Sequence, residues 1–239
     1  MARFRNQLMI AALGLMALPS TAFASEGGRG IGELFEMTNK VLPIGWAMLI
    51  LFLIGSTLTI MYFLEMRIDK LAPPAVVQEI ETAINNGELD RAFEVSTQEH
   101  CYFGQIMAGG LMMKDISYEQ MITGMEHVAA EEGFKINARI SNLSLIGNVG
   151  PLLGLLGTVT GMISSFQTIE KLAAPTPADL ASGVYESLVN TTLGLSLSII
   201  FLVAFFFLKN QATKITLTAN LMAAEQLKGC IPHLPTGAH

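Results

Sequence analysis

Charge is scarce in these 239 residues: Asp, Glu, Lys and Arg make up 14% of the chain, against roughly a quarter in an ordinary soluble domain. Cysteine occurs twice, as Cys101 and Cys230, too few for a disulfide framework. The 14 Lys+Arg are outnumbered by 20 Asp+Glu, a net charge of −6, so nothing basic marks the chain as a binder of DNA or RNA. At 51% hydrophobic residues it is no disordered tail either. No nucleophile stands with a base, no metal-ligand cluster has workable spacing and no phosphate loop appears, so neither an enzyme nor a bound metal or cofactor is expected. What remains is apolar, and it is clustered.

Residues 1–24 begin with Arg3 and Arg5, continue through an apolar Leu8–Leu18 and end on Ala22-Phe23-Ala24. This is a secretory signal-peptide layout with cleavage expected after Ala24; its apolar run is too short to cross about 30 Å of hydrocarbon. A short outer segment, 25–40, follows. Three charge-free runs come next: Val41–Leu64 with 24 residues, Ile140–Ile169 with 30 and Ser187–Leu208 with 22. About 20 helical residues cross a bilayer, so the fold class is an all-α membrane protein with three transmembrane helices, 41–64, 140–169 and 187–208.

Lys and Arg near the span ends set the orientation. Arg67 and Lys70 follow the first run, Lys135 and Arg139 precede the second, and Lys209 and Lys214 follow the third, while residues 170–186 hold only Lys171. Residues 65–139 and the tail 209–239 are therefore expected in the cytoplasm, the mature N-terminus and the 170–186 loop outside it. Both cysteines then face a reducing compartment and stay as thiols. Residues 65–139 lack period-2 alternation and show breaks at Pro73-Pro74, Asn85-Asn86-Gly87 and Gly109-Gly110. They predict helices over 75–84, 88–95 and 101–113. Ser117 with Gln120 three residues on is a helix-start signal, and a helix from there can enter the second span unbroken. The tail predicts a helix to about Lys228, ended by Gly229 and Pro232.

The second span carries Gly147, Gly150, Gly154, Gly157 and Gly161, at spacings of 3, 4, 3 and 4. That period lays all five along one seam. Each glycine costs about 1 kcal/mol of helix propensity, and close approach of another helix is the usual compensation within lipid. Pro151 lies inside the seam and is expected to kink the helix or to leave the Gly147 carbonyl unbonded. The third span answers with Ser187, Thr191, Gly194 and Ser198, again on one face. Thr158 and Thr160 add hydroxyls to the second span. No span contains Asp, Glu, Lys, Arg or His, whereas ion pumps and proton relays place an ionisable group inside the membrane. Glu186, just before the third span, is the nearest, with Asn190 one turn later on the same side. A titrating group in the membrane would have to come from a partner chain.

Two stretches, Gly147-Asn-Val-Gly-Pro-Leu-Leu-Gly-Leu-Leu-Gly-Thr-Val-Thr-Gly161 and Glu186-Ser-Leu-Val-Asn-Thr-Thr-Leu-Gly-Leu195, together with their order and the topology, resemble the MotA/TolQ/ExbB proton channel family, its ExbB/TolQ-type subunits most closely. The resemblance implies a homo-oligomeric ring, a pentamer, in the bacterial inner membrane around a single-span ExbD/TolR-like partner whose aspartate takes and releases protons. It implies work on a TonB- or TolA-like periplasmic protein. It carries channel-lining roles onto Thr158 and Thr191, with Ser187 and Ser198 of the same stripe, and a vestibule carboxylate onto Glu186. It makes the seam glycines, Pro151 and Gly194 packing positions. Competing expectations are a non-conducting membrane scaffold, in which seam and stripe serve assembly alone, and a sodium-driven or MotA-like stator.

Overall fold

The computed structural model describes residues 44–172 and 176–233, and the backbone alone at Asp179, Ser182 and Glu186. The expected signal peptide and outer segment lie outside the described residues, as does the N-terminal edge of the first span. Among the described residues all regular structure is helical: α1 (Ile44–Glu65), α2 (Ile68–Leu71), α3 (Pro74–Asn85), α4 (Leu89–Gln98), α5 (Tyr102–Leu111), α6 (Tyr118–Lys171), α7 (Pro177–Lys228) and a final 3-10 turn, Ile231–His233. Three of these helices, α1, α6 and α7, are long and apolar enough to cross a membrane. The helices α6 and α7 have 54 and 52 residues, about 80 Å each at 1.5 Å per residue, well beyond what a span requires. Pro151 stands inside α6, which continues past it.

The chain divides into two compact units. The first holds residues up to Ile60 and Ser141–Phe206, thus most of α1 and the apolar stretches of α6 and α7. Its outward surface is large and apolar, with Leu53, Leu152, Leu188, Ile199 and Phe206 all exposed, as suits contact with hydrocarbon rather than water. Helix α1 packs at Gly55, where an added Cβ would lie 2.7 Å from Cε1 of Phe201. Phe52 reaches the same ring, with centroids 6.1 Å apart. The hydroxyls of Thr57 and Thr59 bond back to the carbonyls of Leu53 and Gly55, so neither is a bare polar group in the apolar layer.

The second unit, Met61–Ile140 and Phe207–His239, has a conventional core. Ile80, Phe103, Ile106, Met107, Leu111, Met121, Ala219 and Leu227 are fully buried in it. Its helix starts are chemically marked. Pro74 fills the first turn of α3, where its missing N–H is no loss. The Cys101 sulfur accepts from Gly104 N at the start of α5, 3.3 Å. Ser117 Oγ accepts from Gln120 N at the start of α6, 3.3 Å. The α3–α4 turn closes on Gly87 with φ +78°, a left-handed conformation that suits glycine. Gly109-Gly110, expected as a break, lies within α5 instead. An added Cβ on Gly109 would sit 3.1 Å from the carbonyl oxygen of Gly124, and one on Gly124 would sit 2.5 Å from that of Gly109. The pair is a helix crossing between α5 and α6, not a turn. Half-buried polar groups tie the unit together: Tyr102 Oη donates to Asn220 Oδ1 at 2.8 Å, Gln211 Nε2 to the Met66 carbonyl at 2.6 Å, and Gln226 Nε2 to the Val77 carbonyl at 3.1 Å.

Candidate functional site: the seam between two apolar helices

The seam glycines of α6 face the small-residue stripe of α7 inside the first unit, in antiparallel order. An added Cβ on Gly147 would meet Leu202 Cγ at 2.7 Å, one on Gly150 the Gly194 carbonyl oxygen at 2.9 Å, one on Gly154 the Thr191 Cα at 3.1 Å, and one on Gly157 the Asn190 Cβ at 2.8 Å. One on Gly161 would run into Ser187 Oγ. From the other side, a Cβ on Gly194 would lie 2.7 Å from the Gly150 carbonyl oxygen and 3.0 Å from Gly154 Cα. At Gly150, Gly154 and Gly194 the obstacle is backbone, which has no rotamer to yield. The same ladder continues one rung past the pattern legible in the sequence: an added Cβ on Gly183 would run into Ser165 Oγ.

Three hydroxyls on this seam have hydrogen-bond acceptors. Thr191 Oγ1 donates across the helix pair to the Gly154 carbonyl at 3.2 Å. Ser187 Oγ donates to Gly183 O at 2.7 Å and Ser165 Oγ to Gly161 O at 2.9 Å. Ser187 and Ser198 are buried. Thr158 is half-buried, its hydroxyl donating to Leu155 O at 2.7 Å. Thr160 is exposed and bonds back to Leu156 O at 2.9 Å. Thus Thr191, Ser187 and the glycines stand together, Ser198 sits beside them near Gly150, and Thr158 lies next to Gly157 on α6. The side chain of Glu186 lies outside the described residues. Three participants were not among the expected site residues. Gly183 and Ser165 each continue a four-residue spacing, from Ser187 and Gly161 respectively, and Asn190 has no sequence signal beyond being polar in an apolar run.

Among the described residues, the ionisable groups with displaced pKa values lie outside these spans. Burial pushes the Cys230 thiol from 9.0 up to about 11. It raises Cys101 as well, against the opposing Gly104 N–H. Hydrogen bonding to Glu131, then Glu132, raises the exposed Lys135 ammonium. Among the described residues the seam's side chains are uncharged, able to pack and to offer hydroxyls, carbonyls and an amide.

Residues 86–220 match the MotA/TolQ/ExbB proton channel family. The chain belongs to that family. Curated relatives agree: a putative biopolymer transport protein ExbB homolog of Methanothermobacter thermautotrophicus is 27% identical over 134 residues, covering 56% of this chain and 47% of the relative. The Tol-Pal system protein TolQ of Pseudomonas aeruginosa is 31% identical over 91 residues, 38% of this chain and 39% of that protein. The chain thus spans under half the length of these relatives. In three dimensions it resembles the C. jejuni MotAB structure, with a TM-score of 0.60 at 15% identity over 95% of this chain and 91% of the other, a likeness of fold. The family match includes both the glycine seam and the Thr191 stripe.

Proposed function

We propose that this chain is the ring-forming subunit of an inner-membrane stator. With an ExbD/TolR-like single-span partner it couples the proton motive force to mechanical work on a TonB- or TolA-like periplasmic protein. The observation that carries this reading is the pairing of family membership with spans that contain no ionisable residue. In this proposal the chain is a homo-oligomer, a pentamer. Its signal peptide is removed after Ala24, the mature N-terminus is periplasmic, and residues 65–139 and 209–239 are cytoplasmic. The partner's carboxyl group is neutral against apolar surface, because a lone charge in hydrocarbon is costly, and charged beside the hydroxyls; alternating the two turns ring against partner. About 2.3 kcal/mol per charge for each 100 mV drives the cycle. Thr158 and Thr191 meet that carboxyl group, Ser187 and Ser198 extend the polar stripe, and Glu186 stands in the vestibule. The Thr191 hydrogen is directed at Gly154 O, which leaves its oxygen lone pairs to accept from a protonated acid or water.

The second reading, a scaffold, has one observation in its favour: the same Thr191 hydrogen bond joins α6 to α7. Thr158→Ala and Thr191→Val separate the two. On the stator reading both variants assemble yet lose proton-dependent work, Thr191→Val with a stability cost of about 1 kcal/mol for its lost hydrogen bond. Unaltered proton-dependent work in both variants contradicts the stator reading and favours the scaffold.

A further inference from the structure

Among the described residues of the first unit, Ser165, Ser187, Asn190 and Ser198 are buried polar side chains, and three of them have a clear partner or setting on the helix seam. Asn190 differs. It is 3% exposed, and its Nδ2, which carries two N–H donors, has no hydrogen-bond partner among the described residues. The amide is directed at α6, where an added Cβ on Gly157 would lie 3.1 Å from Nδ2. A buried amide without an acceptor loses its hydration with nothing in return, so the position calls for an acceptor that can reach a site closed to lipid.

Ser187 stands three residues before Asn190 on α7, and side chains at that spacing have Cβ atoms about 5–6 Å apart. One water molecule covers such a gap with two hydrogen bonds of about 2.8 Å each. The donor and acceptor complement is right for it. Ser187 directs its hydrogen to the Gly183 carbonyl, so its oxygen is left to accept, while Asn190 has N–H to donate. Water accepts from the amide and donates to the hydroxyl oxygen. The facing positions on α6 are glycines, Gly157 opposite Asn190 and Gly161 opposite Ser187, so no side chain at those positions competes for the amide. Ser187 is 2% exposed, so a lipid carbonyl has no route to the pair. Among the described residues no acceptor is seated on the Asn190 Nδ2.

We propose that Asn190 and Ser187 form an internal water-binding site within the α6–α7 seam, with Asn190 as the donor that fixes the water. The site stands on this geometry alone and does not depend on ion conduction. The test is solid-state NMR of the full chain in lipid nanodiscs with 15N-labelled asparagine, reading polarisation transfer from water protons to side-chain amides; Asn190→Leu assigns the signal. The expected result is transfer to the Asn190 amide group, reduced about twofold or more in Ser187→Ala, which removes the acceptor. Ser187→Cys, a weak acceptor, serves the same purpose if the alanine variant does not assemble. An Asn190 amide that receives no transfer in the unaltered chain overturns the proposal. So does transfer that is indifferent to the Ser187 substitution.

Discussion

Glycine to alanine substitutions have opposite expected signs at different places on α6 and α7. At Gly194 the new Cβ would lie 2.7 Å from a backbone oxygen, and overpacking of this kind costs about 1–3 kcal/mol, more than the roughly 1 kcal/mol gained in helix propensity. Gly194→Ala is expected to lower the melting temperature in detergent. At Gly133 nothing lies within 4 Å of an added Cβ, so Gly133→Ala is expected to stabilise by up to about 1 kcal/mol. Equal effects at the two sites, measured by thermal unfolding, would contradict the tight seam. The buried thiols give a pH signature. Cys230 has a folded pKa of about 11 against 9.0 unperturbed, so the folded form holds the proton more firmly. Its contribution to stability is whole below about pH 9 and is lost as pH rises toward 11. Cys230→Ala should flatten part of that alkaline loss, the remainder coming from Cys101 and Tyr102, both raised by burial. A chemical-denaturation series from pH 8 to pH 11 checks it, and identical slopes for variant and parent would contradict the burial argument.

At the scale of elements, charge-free length and glycine period made much of the architecture legible beforehand. The three apolar helices, the capped start of α6 after Ser117 and the end of α7 at Lys228 follow from local chemistry that a single chain displays. The seam and stripe were legible because both partners carry small residues at helical spacing. What escaped depends on a partner elsewhere in the chain. Gly109-Gly110 looks like a turn until Gly124 is brought against it. Cys101 as a helix cap competes with its more familiar roles. Asn190 is an ordinary polar residue until it is seen to be buried with no acceptor for its Nδ2 among the described residues. Pro151 sits on the same face of α6 as the glycines, and because it lacks an N–H the Gly147 carbonyl has no helical donor. Pro151→Ala restores that bond, and a rise in melting temperature of a few degrees is expected from a gain of about 1 kcal/mol. A fall would mean that the local geometry of α6 is itself required for the packing.

For the molecule as a whole, the proposed function is a division of labour: this chain would supply a close-packed wall, and the acid that carries protons would belong to a companion. Gly154→Leu probes the wall, because a leucine driven into the Thr191 backbone should prevent assembly of the proposed ring; native mass spectrometry reporting an unchanged oligomer would contradict it. The companion's part is tested most directly by proton flux. The chain is reconstituted into liposomes under an imposed membrane potential, alone and then with an ExbD/TolR-like subunit, with an internal pH dye as reporter. The account predicts no flux above protein-free vesicles for the chain alone, and flux on adding the companion that disappears when its membrane aspartate is changed to asparagine. Robust acidification of the lumen by this chain alone would contradict it.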